Sequence, residues 1–329
     1  MGNPQTPHAV TLIPGDWIGP ETAAVVQEVI AALGVSIDWD VQQVADGELS
    51  DAVLQSARRT GVVLMARVAS TRAHGQLPFT VRLRQELGTW STVRAVRTLP
   101  GAPAVFPDTD VVVIRETSED IYSGMEHEIT DGVYEAVKVT TAAACERIAR
   151  YAYEYARAHG RKRVDIVHKS NIMKKSDGLF LRSAQKVAAD YPDIETGEVI
   201  VDALCMRLTR WPAQFDVLLC GNLFGDIVSD LAAGLTGGIL TGASASYGDA
   251  AAIFANPHGK ALDIVGADKA NPIPLLRAAK HMLRHLGEDA AADRLIAAIE
   301  GAVAAGVHTA DMGGSASTSE MKAAILERL

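Results

Sequence analysis

Cysteine is scarce. Cys145, Cys205 and Cys220 are the only three among 329 residues. They form no CxxC pair and leave an odd thiol, which excludes a disulfide framework and a cysteine-rich zinc site and predicts a reducing, cytoplasmic setting. Long apolar runs are missing too: Val62–Ala66 and Val217–Leu219 are soon stopped by polar or glycine residues, far short of the roughly 18 that a membrane-spanning helix needs, so no membrane partner is expected. There is no basic excess. Lys and Arg number 31 against 40 Asp and Glu, a formal charge of -9, the wrong balance for gripping nucleic acid by its phosphates, and a small-molecule ligand is expected instead. The N-terminus has no hydrophobic signal core; Met1-Gly2 with Thr6 formally meets a myristoylation pattern, but Pro4 and Pro7 make the segment read as a leader and the match as chance. Finally, no G-x-G-x-x-G follows any apolar run, so the fingerprint of a Rossmann dinucleotide site is lacking.

What is present is core material. With 48% hydrophobic residues the chain can fill one large α/β domain or two intimate ones, which excludes disorder. Short β-branched runs at Val10–Ile13, Val62–Met65, Val111–Ile114, Val164–Val167 and Val217–Leu219 alternate with helical stretches, the pattern of a mainly parallel sheet flanked by helices. The first helix, Glu21–Leu33, is punctuated by Pro20 and Gly34 and carries Val25, Val26, Val29, Ile30 and Leu33 on one side,. The Gly/Ala-rich stretch 232–255 contains Leu235, Ile239 and Leu240 and reads as packed backbone near a ligand rather than as linker.

Two constellations carry chemistry. Asp226 and Asp230 stand four apart on a helix expected to begin near Gly225. That spacing puts both carboxylates on one face, where hard oxygen ligands suit Mg²⁺ or Mn²⁺, although a solvated acidic face has the same pattern. Arg84, Arg94 and Arg115 lie in a helix–loop–strand segment, with Arg115 at a strand end. Converging guanidinium groups suit a di- or tricarboxylic acid, and each alone also reads as a surface arginine. Tyr122 and Lys169 follow predicted strands and are candidates for moving protons, beside the plain readings of a packing tyrosine and a solvated lysine. Spacing and composition name no reaction.

The same segments resemble the β-decarboxylating dehydrogenases, the family of isocitrate, homoisocitrate, 3-isopropylmalate and tartrate dehydrogenases, over nearly the whole chain. The resemblance runs through Thr11-Leu-Ile-Pro-Gly-Asp-Trp-Ile-Gly-Pro-Glu21, Leu83-Arg-Gln-Glu-Leu87, Val113-Ile-Arg-Glu116, Ser118-Glu-Asp-Ile-Tyr-Ser-Gly-Met-Glu-His127 and His168-Lys-Ser-Asn-Ile-Met-Lys174. It continues in Asn222-Leu-Phe-Gly-Asp-Ile-Val-Ser-Asp230, His258-Gly259, Ala270-Asn-Pro272 and Gly313-Gly-Ser-Ala-Ser-Thr318. The Tyr-Ser-Gly-Met-Glu-His and His-Lys-Ser-Asn-Ile-Met segments look like the isocitrate branch.

This resemblance implies a two-domain α/β fold that is mainly parallel and not Rossmann. A large cofactor-side domain would comprise 1–90 plus 237–329, and a small domain 91–236 would carry metal, catalysis and dimer contacts, with the site in the cleft between them. It implies that Arg84, Arg94 and Arg115, with Asn171, Thr80 and Arg82, bind a hydroxy polyacid. Asp226 and Asp230, with Asp202 of the partner subunit, would hold Mg²⁺ or Mn²⁺. Ile13, His258, Gly259, Asp263, Ile264 and Asn271 would line the NAD site, with Asp263 and Ile264 standing where NADP-using relatives carry lysine and tyrosine. Lys169, contributed across a homodimer, would take up the hydroxyl proton and Tyr122 would protonate C3 after decarboxylation.

Three departures from the family pattern bear on specificity. Trp17 replaces a glycine, Met65-Ala-Arg-Val-Ala-Ser-Thr71 replaces a Lys-Gly-Pro run, and Pro78 and Thr80 stand where isocitrate enzymes place serine and asparagine. The malate part of the site is retained while the C3 pocket is not. Isocitrate is the simplest substrate. Arg67, Arg72, His74 and Arg82 in the diverged loop would also suit 3-(phosphonomethyl)malate, whereas isopropylmalate, homoisocitrate, tartrate and a non-catalytic regulatory subunit stand further off.

Overall fold

Strand β1 (His8–Ile13) buries four residues in succession, Val10 to Ile13, as a strand covered on both faces does. It opens the chain in a computed structural model that describes residues 6–69, 77–238, 243–256 and 259–329. Helix α1 (Gly19–Ala32) follows, with Pro20 in its first turn and Gly34 beyond its end at φ +82°, close to the expected limits. Then come β2 (Ile37–Val41), α2 (Asp51–Thr60), β3 (Val62–Met65) and α3 (Phe79–Glu86). Ser50 starts α2 by accepting the Val53 N–H, and Gly61 ends it in the left-handed conformation,.

The middle of the chain forms β4 (Thr89–Arg97), β5 (Asp110–Glu116), β6 (Glu126–Thr130), β7 (Val133–Ala136), α4 (Ala142–Ala158), β8 (Arg163–His168), α5 (Ser176–Ala188), β9 (Glu195–Ile200), α6 (Val201–Leu208), β10 (Val217–Cys220) and α7 (Asn222–Leu235). The remainder supplies β11 (Ser244–Gly248), β12 (Ala252–Ala255), α8 (Ile273–His285), α9 (Asp289–Ala304) and α10 (Thr318–Leu326).

Two compact units result: Met1–Gly88, Thr98–Pro107 and Gly237–Leu329 in the first, Thr89–Arg97 and Asp108–Thr236 in the second. The boundaries read from sequence differ chiefly in segment 98–107. It groups with the first unit because Leu99 is buried in that unit's core. In the first unit the strands run β2-β1-β3-β12-β11; all neighbours are parallel except the antiparallel β11/β12. One core there includes Val26, Ile30, Leu276, Met282, Leu295 and Ile299, and another joins Val53, Ala57, Phe79 and Leu83 to the sheet.

In the second unit the order is β4-β5-β10-β8-β9, antiparallel only at β4/β5. The parallel strands β5, β8 and β10 finish at Glu116, His168 and Cys220, and the candidate site residues follow those carboxyl ends. Strands β6 and β7 pair with each other as a separate antiparallel hairpin. Cys145 and Cys220 are buried; burial pushes the Cys145 thiol up to about 12 and raises that of Cys220, which makes both poor nucleophiles.

Candidate active site

Helix α7 begins at Asn222 rather than at Gly225, one turn earlier than read from sequence. Asn222, Asp226 and Asp230 therefore succeed one another at four-residue spacing on one face. Arg115, whose side chain is 5% exposed, lies against that face. Its Nε and Nη2 donate to Asn222 Oδ1 at 2.9 and 2.7 Å and its Nη1 to Asp226 Oδ1. Arg94, from β4, donates from Nη1 to Asp230, while its Nε is buried with no hydrogen-bond partner, a donor suited to an anionic ligand.

Gly225 makes this approach possible. A Cβ there would stand 2.6 Å from Arg115 Cγ and 2.8 Å from Cβ, closer than atoms can pack. Gly225→Ala would ordinarily favour a helix by about 1 kcal/mol; here it is expected to push the guanidinium off Asn222 and lower kcat/KM by about 10²-fold, as a 1 Å misplacement does. Steady-state kinetics beside a thermal melt check this: the expected result is a protein that still folds, destabilised by about the 1–3 kcal/mol that a stranded Asn222 oxygen costs, with its activity lost.

Tyr122 sits in a single 3₁₀ turn, Ile121–Ser123. Its hydroxyl donates to Asp226 Oδ2 at 2.5 Å, and the Arg115 guanidinium carbon lies 4.9 Å from its ring centre. Burial first, and then the bond to Asp226, raise the phenol above its ordinary value and outweigh the pull of Arg115. The proton stays on the oxygen through neutral pH. Asp120 immediately precedes this turn at φ 78°, ψ -156°, a backbone region almost confined to glycine and costing about 1–3 kcal/mol.

Lys169 is found with other partners. Its Nζ donates to Asp202 Oδ1 at 2.6 Å, and this holds the exposed Asp202 carboxyl below the usual range. Its backbone N–H donates to Asp177 Oδ2 at 2.6 Å. Asn171, two residues on, is exposed in the turn after β8.

Asp226 and Asp230 offer hard oxygen donors from one helix face, as Mg²⁺ or Mn²⁺ prefers. Among the described residues, however, no three His, Cys, Asp or Glu side chains come together as a metal-holding group. Within one chain two such donors stand on one face, and Asp202 does not join them.

The remaining expected residues belong to the first unit. Arg84 and Thr80 lie on α3. Arg82 donates from Nη2 to the Gly47 carbonyl at 2.7 Å, so part of its guanidinium anchors a turn rather than awaiting a ligand. Arg72, His74 and the cofactor candidate His258 fall outside the described residues.

A cavity of about 440 Å³ is lined by Gly259, Ile264 and Asn271, as expected of a cofactor site, together with Gly237, Lys269 and Asp311. Asn271 Nδ2 donates to Asp311 Oδ2 at 3.0 Å and its Oδ1 accepts the Ile273 N–H. Asp311 escapes sequence reading although it lies two residues before the Gly313–Thr318 motif. Asp263 is exposed in the 3₁₀ turn Leu262–Ile264 and does not line the cavity. Ile13 is fully buried among Val53, Val63 and Phe79, so its side chain supports the core and is not placed to touch a cofactor. Trp17 takes φ 57°, the left-handed conformation that explains the family's glycine, and its ring lies 5.7 Å from Lys260 Nζ, a cation–π distance.

The sequence matches the family described as isocitrate/isopropylmalate dehydrogenase over residues 9–325. It is 43% identical to the mitochondrial isocitrate dehydrogenase (NAD) catalytic subunit 5 of Arabidopsis thaliana over 98% of this chain and 89% of that protein. It is 41% identical to the mitochondrial isocitrate dehydrogenase (NAD) regulatory subunit 1 of the same plant over 98% of this chain and 90% of that one. The crystal structure of isocitrate dehydrogenase from Methylococcus capsulatus superimposes with a TM-score of 0.93 at 40% identity, covering 98% of this chain and 99% of its own. Sequence, fold and the acidic–basic cluster on α7 agree: the chain belongs to the isocitrate/isopropylmalate dehydrogenase family of β-decarboxylating dehydrogenases.

Proposed function

We propose that the chain is a catalytic, NAD- and divalent-metal-dependent dehydrogenase that oxidatively decarboxylates a 3-substituted malate, with isocitrate as substrate, and that it works as a homodimer. The observation that carries this reading is the cluster of Tyr122, Arg115, Asp226, Arg94 and Asp230 around one face of α7. A regulatory subunit has no need of a protonated phenol on a carboxylate beside two arginines.

The chain's residues divide the work. Arg94 and Arg115 bind substrate carboxylates, and their positive charge orients the acid toward α7. Lys169 of the second copy takes up the 2-hydroxyl proton, and Tyr122 delivers its proton to C3 once carbon dioxide has left. Asp226, Asp230 and the second copy's Asp202 would hold Mg²⁺ or Mn²⁺, which would supply Lewis-acid polarisation. Asn271 and Ile264 line the cavity that would hold NAD, and NAD would supply the hydride acceptor.

The two-copy arrangement is supported by three features. Lys169 and Asp202 keep each other's company, and no three metal-binding side chains meet within the described residues of one chain. The hairpin β6–β7 is exposed along both strands, with Ile129, Val133 and Tyr134 at 64, 47 and 65%. Two isolated strands are marginal in water and gain a cover from a second copy.

The test is NADH formation from isocitrate with NAD and Mn²⁺. Turnover that stops with excess chelator and returns with Mn²⁺ is expected. Replacing Ile264, which lines the cavity, and its neighbour Asp263 by Tyr and Lys should move preference toward NADP by at least about tenfold, since a lysine beside the cavity offers a charge-assisted hydrogen bond to a 2′-phosphate. Turnover unaffected by chelator, or a parent enzyme that prefers NADP, would contradict the reading.

A further inference from the structure

Lys138 lies just after β7 and outside every residue assigned above. Its Nζ donates to Asp177 Oδ1 at 2.7 Å and lies 3.7 Å from Asp120 Oδ1, with 5.0 Å to the ring centre of Phe224. The Asp120 and Asp177 side chains are only 6 and 4% exposed. The void beside the three groups measures about 20 Å³, room for a single water.

Each aspartate uses its other contacts on a different part of the site. Asp177 Oδ2 accepts the backbone N–H of Lys169. Asp120 accepts the N–H of Ile121, at the head of the Tyr122 turn, and through Oδ2 that of Leu223, in the first turn of α7. The Asp120 backbone, in its glycine-like conformation, is tied by its N–H to the Val139 carbonyl at 3.0 Å. One ammonium therefore spans the supports of the two proton-moving residues.

We infer that Lys138 is a positioning residue which, through Asp120 and Asp177, sets Tyr122 and Lys169 of its own chain at once. This rests on the two-copy reading, in which Tyr122 serves its own chain's site and Lys169 serves that of the second copy. Lys138 is then a mechanical link between two active sites: whatever shifts the Tyr122 turn in one site is felt by the lysine lent to the other. Removing the ammonium leaves two buried carboxylates without the cation they share,, and both supports move.

Subunit mixing separates this role from a general structural one. Asp120→Asn should behave as a Tyr122 lesion, regaining activity when mixed with Lys169→Ala chains but not with Tyr122→Phe chains. Asp177→Asn should behave as a Lys169 lesion, with the opposite pattern. Lys138→Ala should lose at least about tenfold in kcat, with little change in KM, and regain activity with neither, while Lys138→Arg, which keeps the positive charge between the two carboxylates, should recover part of it. The mixture of Tyr122→Phe with Lys169→Ala is the control. If it stays inactive although subunits exchange, the two-copy reading fails; if it works but Lys138→Ala is fully active, or Asp120→Asn and Asp177→Asn are rescued by the same mate, the link is wrong. Should Lys138→Ala not fold, the two Asn variants, which keep the side-chain shape, decide the matter alone.

Discussion

Tyr122→Phe and Lys169→Ala are each expected to lower kcat by about 10²- to 10⁴-fold, the range for a group that moves a proton in the transition state, while the thermal melt stays close to that of the parent. The hydroxyl removed from Tyr122 makes its bond to a carboxylate that is 38% exposed, so water replaces it. The ammonium removed from Lys169 releases Asp202, whose side chain is 69% exposed. Catalysis and folding should therefore separate cleanly. The raised phenol adds a pH signature: a group whose proton is held above its ordinary value of about 10 acts as an acid across the neutral range. Any alkaline fall in kcat attributable to Tyr122 should begin only above that value and vanish in Tyr122→Phe. Comparable loss of folding and activity in either variant would remove the assigned roles.

Arg115→Ala should be worse on both counts. The guanidinium supplies both hydrogen bonds to Asn222 Oδ1 that its Nε and Nη2 can make, and Asn222 is 2% exposed. Stranding that oxygen costs about 1–3 kcal/mol. Charge-assisted bonds to a substrate carboxylate are worth about 1.5–3 kcal/mol each, so kcat/KM should fall by 10²-fold or more as well. Arg115→Lys should not rescue it, because a point charge cannot serve Asn222, Asp226 and a substrate together. A melt and a kcat/KM measurement on both variants check this; an Arg115→Lys enzyme near parent activity would show that a plain positive charge suffices.

Much of the fold is legible because it follows periodicity and punctuation. The buried runs Val62–Met65 and Val217–Cys220 admit few alternatives, and Pro20 and Gly34 bracket α1 by backbone chemistry alone. The start of α7 lies one turn before the place that local pattern suggests, because Asn222-Leu-Phe looks like loop until Asp120, just ahead of the 3₁₀ turn, is seen to accept the Leu223 N–H and Arg115 to hold the Asn222 side chain. Segment 98–107 defeats sequence reading because membership of a core is decided by Leu99 joining a cluster drawn from Val10 to Ile325, which no local pattern records. The site is legible in types and not in pairings. Asp226 and Asp230 announce themselves by spacing; Tyr122 and Lys169 stand out as candidates after predicted strands, and take their roles only from resemblance to a family. Asp120, Lys138 and Asp177 announce nothing, since an ordinary charge in a turn becomes a keystone only when folding buries it. Ile13 illustrates the converse: its neighbourhood resembles a cofactor turn, yet β1 is covered on both faces and its side chain is buried in a core.

The claim that ties these features together is that each site draws its acid and its base from different chains. Its most direct test mixes Tyr122→Phe and Lys169→Ala proteins, both nearly inactive, under conditions that allow subunits to exchange, and follows NADH formation from isocitrate. Random pairing makes half the dimers mixed, each with one of its two sites intact, so roughly a quarter of parent activity should return. Activity that stays at the level of the separate variants, while a mass measurement shows mixed dimers, would contradict the shared site.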